Sequence, residues 1–202
     1  MNSCSRWPGW LLLGALAWHG YDLARTTSLY ELLWSCHIAT ALMALGIFLR
    51  VRMAVATPWL FHLSIGLPAW LVAMVLTRGT FGAANIDGPL LATSTLVHVL
   101  PIVMGAMWLR RGGFALSWRV AALAWLLQAA LIPLTRPFTP PELNINLAHG
   151  VYPSLSRTFP NLFVFQVTIC LACLASVTIV TLFVNAIFGR REIAIHKSQT
   201  AH

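Results

Sequence analysis

The stretch NLFVFQVTICLACLASVTIVTLFVNAIF, residues 161–188, contains no charged side chain and decides the class of this chain. About 20 apolar residues in a row are enough to cross the hydrocarbon core of a bilayer as a helix. Earlier parts of the sequence hold similar runs, and the 202 residues are 58% hydrophobic and 9% charged. About a quarter of the residues of a soluble domain are charged, so a soluble domain is excluded. The sequence predicts a polytopic membrane protein.

Six apolar segments are predicted to span the membrane, which makes the expected fold an all-α, six-transmembrane-helix bundle. No repeat or linker divides the chain, so residues 1–202 are expected to form a single membrane domain. The first segment is the least apolar, and from Arg6 to Ala17 it also fits a signal peptide with a small-residue cleavage site. The six segments are Trp7–Leu23, Leu29–Leu49, Ala54–Leu76, Pro89–Leu109, Trp118–Leu134 and Asn161–Phe188.

The basic residues between these segments predict the orientation of the bundle. Of the 13 Lys and Arg residues, nine fall on one side and four on the other. Because basic residues concentrate on the cytoplasmic side, both termini are predicted to be cytoplasmic, in the plasma (inner) membrane. The net charge of +8 is then explained by helix ends that meet anionic lipid head groups, so membrane lipids are the expected partners and nucleic acid is not. The nine are Arg6, Arg50, Arg52, Arg110, Arg111, Arg119, Arg190, Arg191 and Lys197; the four are Arg25, Arg78, Arg136 and Arg157.

Four histidines, His19, His37, His98 and His149, are expected on the same outer side, in or near the outer half of the membrane. Ionisable residues inside a membrane are costly and usually functional. Counted from the outer helix ends, His37 lies about 9–12 Å below the boundary at about 1.5 Å per residue, and His98 lies at a similar depth. The sequence therefore predicts an outward-facing polar pocket that contains both.

Two prolines are expected to interrupt helices beside polar residues. Proline cannot donate to the carbonyl four residues earlier, so Pro68 leaves the carbonyl of Ser64 without its helical partner. Pro101 has the same effect one turn after His98. Broken helices occur in membranes where they line enclosed cavities. His62, near Pro68, is expected nearer the cytoplasmic half and is interpreted as a helix-contact histidine.

The long connection from residue 136 to 160, RPFTPPELNINLAHGVYPSLSRTFP, is predicted to lie outside as a lid over the pocket. Such long connections in compact proteins are usually functional or disordered. Alternation of Leu143, Ile145 and Leu147 with polar or small residues suggests an extended segment with one face on the bundle. The candidate substrate-binding residues are Arg78, Arg136, Glu142, Asn144, Asn146 and His149.

The four cysteines do not suggest a set of disulfides. Cys36 is a candidate thiol nucleophile, provided that another helix supplies a base, because an opposing imidazole raises the thiolate fraction. A buried structural cysteine is the alternative. Cys170 and Cys173 lie inside the last segment on one helix face, where their small side chains suit helix packing. Cys4 is near the predicted cytoplasmic N-terminus.

The segments Glu31–Leu49 (ELLWSCHIATALMALGIFL), Trp59–Leu71 and Ser94–Leu109 (STLVHVLPIVMGAMWL) resemble the YwaF-like family of six-helix membrane proteins. An animal relative in that family is described as a phospholipid acyltransferase that uses a cysteine and a histidine. The resemblance implies that Cys36 and His98 correspond to these two residues, and that Asn144–Asn146 corresponds to an Asn-rich stretch of the family. His37 stands where the family often has an acidic residue.

Three functions are compatible with these features. The first is a lipid acyltransferase or hydrolase, with Cys36 as nucleophile, His98 as base and His37 beside them. In that hypothesis Asn144, Asn146 or His149 contacts the oxyanion or head group, and Arg78 and Arg136 hold a phosphate. The second is a metal or haem site on His37, His98, His149 and His19. The third is a non-enzymatic membrane scaffold or carrier. The sequence decides neither the cofactor nor whether the protein is an enzyme.

Overall fold

The computed structural model describes residues 5–77, 80–81, 84–85, 88–110, 116–151 and 155–189, and within them the fold is an all-α bundle. The expected fold class is confirmed to that extent. A two-residue hairpin, β1 (Thr80–Phe81) and β2 (Ala84–Asn85), pairs antiparallel with Thr80 opposite Asn85. The helices are α1 (Trp7–Thr26), α2 (Ser35–Leu49), α3 (Arg52–Phe61), α4 (Leu67–Thr77), α5 (Gly88–Leu109), α6 (Trp118–Thr135) and α7 (Leu162–Val184).

Within the described ranges, four helices are long and apolar enough to cross a membrane: Arg52–Val75, Gly88–Leu109, Trp118–Phe138 and Leu162–Phe188. They are compatible with an integral membrane protein. The six predicted spans are not established, because α1 is not among the four and α2 has only 15 residues. The predicted second segment is also not one continuous helix, since a 3-10 helix, Leu29–Leu33, precedes α2.

The third predicted segment is one continuous helix that changes its winding in the middle. A π-helical turn, His62–Gly66, joins α3 to α4, and the backbone N–H of Leu67 donates to the carbonyl of His62. Pro68 follows, and the carbonyl of Ser64 accepts a hydrogen bond from the hydroxyl of Ser176 in α7 at 2.6 Å. The carbonyl expected to lose its helical partner is therefore satisfied by a neighbouring helix, as membrane interiors require.

Small residues let the helices approach closely around a core at the centre of the bundle. A Cβ added at Gly46 of α2 would lie 2.7 Å from the backbone carbonyl of Ala54 in α3. A Cβ added at Gly105 of α5 would lie 2.5 Å from the ring of Trp59. Interfaces of this kind are typical of membrane helices, which associate through packing rather than through the hydrophobic effect.

The segment after α6 is not the extended strand that the alternation predicted. Three short 3-10 helices occupy it: Arg136–Phe138, Pro141–Leu143 and Ile145–Leu147. The φ angles are 46° at Asn144, 52° at Asn146 and 61° at Leu147, and asparagine tolerates this left-handed region better than most residues. Ile145 and Asn146 are both buried, so consecutive side chains face the bundle. Backbone turns, which the apolar pattern does not encode, explain the wrong expectation.

Candidate functional site

A cavity of about 500 Å³ lies between α1, α2, α4, α5 and α7, with the segment around residue 146 at its wall. This volume falls within the range of small-molecule sites in proteins. Most of the lining is apolar, from residues such as Leu23, Ile65, Val72, Phe165 and Ile169. The polar part of the lining includes His19, Thr27, Glu31, Ser35, Cys36, His37, Ser64, Ser94, His98, Gln128 and Asn146, with Trp34 and Trp70 beside them.

Three histidines from three helices meet at this polar part: His19 of α1, His37 of α2 and His98 of α5. The ring centroids of His19 and His37 are 4.9 Å apart, and those of His37 and His98 are 6.0 Å apart. Each side chain is at most 5% exposed. The ring of His98 also stacks on Trp70 of α4, with centroids 5.2 Å apart. The structure thus brings together His37 and His98, and adds His19 to them.

The hydrogen bonds of these rings fix their tautomers. Nδ1 of His37 is 2.8 Å from the carbonyl of Glu31, and Nδ1 of His98 is 2.7 Å from the carbonyl of Ser94. A carbonyl only accepts, so in both neutral rings Nδ1 carries the proton and Nε2 carries the lone pair. Nε2 of His37 is buried and has no hydrogen-bond partner among the described residues.

The third ring is held through a hydroxyl relay. Nδ1 of His19 is 3.0 Å from Oγ1 of Thr93, and the Thr93 hydroxyl donates to Oδ2 of Asp22 at 3.0 Å. The carbonyl of Leu90 is the other acceptor for that hydroxyl, at 3.3 Å. The Asp22 carboxylate can only accept, so the hydroxyl proton goes to it and Oγ1 is left to accept from Nδ1 of His19. The lone pair of His19 is therefore also on Nε2.

Cys36 lines the same cavity and is partly buried, with a free thiol. Its backbone carbonyl accepts from the hydroxyl of Thr40, which lies 3.1 Å from Nε2 of His62. His62 itself does not line the cavity, consistent with a helix-contact role. In the described part of the chain no hydrogen bond joins the Cys36 thiol to His98. Catalytic hydrogen bonds are often long before a substrate binds, so Cys36 and His98 remain a candidate pair without that bond.

Glu31 adds a carboxyl group to the cavity wall from the 3-10 helix that precedes α2. Burial raises the pKa of this carboxyl above its ordinary value of 4.5, and a hydrogen bond with the Thr27 side chain opposes part of that rise. A partly buried carboxyl group with a raised pKa takes up a proton more readily than an exposed one. Its backbone carbonyl separately orients His37.

The two asparagines of the candidate site have structural hydrogen bonds. Asn146 is 1% exposed; its Oδ1 accepts from the backbone N–H of Ser35 at 2.8 Å and its Nδ2 donates to the carbonyl of Leu33 at 2.8 Å. Oδ1 of Asn144 accepts from the backbone N–H groups of His149 and Gly150. Asn146 reaches the cavity, but its amide already holds the start of α2.

Among the described residues, the other predicted substrate contacts, Arg136, Glu142, Asn144 and His149, do not line the cavity. Arg136 and Glu142 are exposed, and Nε2 of His149 is 2.9 Å from Oγ1 of Thr139. His149 is therefore separate from the three cavity histidines, unlike in the four-histidine metal hypothesis. Arg78 is outside the described residues.

Sequence reasoning overlooked Gln128. This side chain lines the cavity from α6, and its Oε1 accepts from the hydroxyl of Ser35 at 2.8 Å. Its Nε2 is then available as a donor toward a ligand. The sequence did contain a signal, because Gln128 is the single amide side chain of its apolar segment. Polar groups are costly in lipid, so such a side chain indicates a candidate site.

Within the described residues, no group of three His, Cys, Asp or Glu side chains already converges closely enough to hold a metal ion. Comparisons with protein-family models, with curated proteins and with solved structures find no match to this chain. The resemblance to the YwaF-like family therefore stays a prediction.

Proposed function

We propose that this chain is an integral membrane enzyme that transfers or hydrolyses the acyl group of a membrane lipid held in the cavity. The observation that carries the proposal is the lining of one apolar cavity by both Cys36 and His98. An acyl chain suits the apolar walls, and its ester suits the polar part of the lining. The lone pair on Nε2 of His98, which follows from the Ser94 hydrogen bond, gives the ring the form that a base needs.

In the proposed reaction the Cys36 sulfur attacks the ester carbonyl while its proton passes to Nε2 of His98. The resulting C–S bond replaces the C–O bond, and the imidazolium returns the proton to the departing alkoxide. Water or a second lipid alcohol then takes the acyl group from the thioester, and the thiol is restored. Nε2 of Gln128 is the proposed donor to the carbonyl oxygen.

The first test compares two cysteines of the same cavity. Cys36 and Cys173 both line it, so a hexadecyl iodoacetamide probe reaches either thiol, and mass spectrometry reports the alkylation of each. If His98 is the base for Cys36, His98→Ala slows alkylation of Cys36 by about 100-fold, the lower range of general-base effects, and leaves Cys173 unchanged. If His98→Ala slows the alkylation of both cysteines equally, or changes the rate of neither, His98 is not the base for Cys36.

The second test measures turnover in proteoliposomes of phosphatidylcholine with a lysophospholipid acceptor. Cys36→Ser and His98→Ala are each expected to remove acyl transfer and hydrolysis while the protein stays folded. The double variant is expected to lose little more, since the two groups act as one unit. Cys173→Ala is the matched control and retains activity. Activity that survives Cys36→Ala rules out Cys36 as the nucleophile, whereas an unaltered chain without activity toward these lipids favours the scaffold or carrier alternative.

A further inference from the structure

We infer that His19, His37 and His98 form a binding site for a first-row transition-metal dication, with Nε2 of each ring as ligand. The three rings come from α1, α2 and α5, line the same cavity and are each at least nine-tenths buried. Their centroid separations of 4.9 and 6.0 Å bracket the spacing of roughly 5 Å for two imidazoles on one tetrahedral ion with bonds of about 2.0 Å.

The orientation of the rings is the main argument for an ion. In metal sites, the histidine nitrogen that does not bind the ion donates its N–H to a carboxylate, a backbone carbonyl or water. His37 and His98 each donate Nδ1–H to a backbone carbonyl, and His19 donates through Thr93 toward the Asp22 carboxylate. All three Nε2 lone pairs are thereby left for a ligand.

His37 supplies a second, independent observation. Its Nε2 is fully buried and has no hydrogen-bond partner in the described part of the chain. Such a buried acceptor costs free energy unless a ligand completes it. Nδ1 of His62 is also buried without a partner in that part of the chain, but His62 does not line the cavity. The proposed ligand set is limited to the three imidazoles, which ring contacts join to one another, and Cys36 remains the proposed nucleophile.

An imidazole-only donor set suits zinc, copper, nickel or iron rather than magnesium or calcium. Three ligands leave a fourth position open toward the cavity. Because the described residues do not yet converge enough to hold an ion, binding is expected to draw His98 about 1 Å toward the other two rings. An ion on Nε2 of His98 occupies the lone pair that acyl transfer needs, so the metal-bound state is expected to be inactive toward lipid.

The test uses the full chain, purified in detergent on a tag without histidines and loaded with Zn²⁺. Elemental analysis after desalting is expected to find one zinc per chain, and zinc is expected to raise the melting temperature as a ligand of the native state does. His37→Ala and His98→Ala should each lose both effects. Cys36→Ala and His149→Ala, the matched controls, should keep them.

The relay to His19 gives a variant that leaves every ligand in place. Thr93→Val removes the hydroxyl that orients His19 and is expected to weaken zinc binding by about 10–100-fold, whereas Thr93→Ser restores it. Should a variant fail to fold, the zinc content and zinc-induced stabilisation of the unaltered chain still decide the matter. A folded chain without zinc, or loss of zinc in His149→Ala as large as in His98→Ala, overturns the site. A chain that binds zinc but shows no acyl transfer contradicts the proposed function and not the metal site.

Discussion

At the scale of single residues, Asn146 determines how the cavity wall is held. Its amide joins the segment after α6 to the start of α2, through the backbone N–H of Ser35 and the carbonyl of Leu33. The first N–H groups of a helix lack partners within the helix, and here a distant side chain supplies one. Loss of this contact should loosen α2, which carries Cys36 and His37.

Asn146→Ala is accordingly expected to destabilise the fold by about 2–4 kcal/mol, because it removes the partner of the buried N–H of Ser35 and of the partly buried carbonyl of Leu33. Thermal unfolding in detergent measures the change. Asn161→Ala is the control, since Asn161 caps α7 at an exposed site and its loss should cost only about 1 kcal/mol. Equal effects of the two substitutions would show that Asn146 does not hold α2.

Glu31 gives a pH dependence whose sign follows from its raised pKa. A carboxyl group with a higher pKa in the folded state binds its proton more tightly there than in the unfolded chain. Its contribution to stability is thus fully present at pH values below the pKa of Glu31 in the unfolded chain. This contribution is lost as the pH rises through the pKa of Glu31 in the folded protein. We expect Glu31→Gln to melt higher than the unaltered chain at pH 7 and to flatten the decline in melting temperature above pH 4.5, the ordinary pKa of the carboxyl group. A melting curve unchanged at every pH would contradict this.

Sequence reasoning identified individual polar residues better than their partners. His37 and His98 stood out because ionisable groups in an apolar segment are costly, and the structure places both at one cavity. Asn146 was expected to contact substrate, which stays a prediction, and its bond to a backbone group 111 residues away was not foreseen. No local pattern encodes such a distant hydrogen bond. Gln128 carried the same polar signal as the histidines and was overlooked.

At the scale of helices, the close approach of α2 and α3 depends on Gly46. The carbonyl of Ala54 occupies the place of the missing side chain. The helix positions were predictable from apolar runs and charged breaks, and four of the six predicted segments match long apolar helices. The π-helical turn at His62–Gly66 and the 3-10 helices after α6 were not predictable in this way, because the apolar pattern does not encode such turns of the backbone.

Gly46→Ala is expected to destabilise the bundle by about 1–3 kcal/mol, since the new methyl group meets backbone rather than a flexible side chain. Gly14→Ala is the matched control: a Cβ at Gly14 meets nothing within 4 Å, and α1 should gain slightly in helix propensity. Chemical or thermal unfolding of both variants in the same detergent compares them. A Gly46→Ala chain as stable as Gly14→Ala would show that the contact with Ala54 can relax.

At the scale of the whole molecule, the number of spans depends on whether α1 and α2 cross the membrane. The buried residues of α1 include Leu12, Ala15, His19 and Leu23, which share one face, while Trp10 and Trp18 are exposed on the other. The polar groups of α1 that lower its mean hydropathy, His19 and Asp22, are thus held by Thr93 of α5 instead of facing lipid. At about 1.5 Å per residue, the 20 residues of α1 reach about 30 Å, the thickness of the hydrocarbon core.

We therefore predict six spans with both termini cytoplasmic, as the excess of basic residues on one side indicates. Bundles of four and of six spans both place the two termini on the same side, so a C-terminal reporter does not distinguish these topologies. The side on which the connection between α1 and α2 lies does distinguish them. With the four native cysteines replaced by alanine, Leu29→Cys, which is 57% exposed, should react with a membrane-impermeant maleimide on intact cells. Arg157→Cys should react as the outer control, and Ser117→Cys should react only after lysis. If Leu29→Cys reacts only after lysis, as Ser117→Cys does, the protein has four spans, with α1 and α2 on the cytoplasmic side.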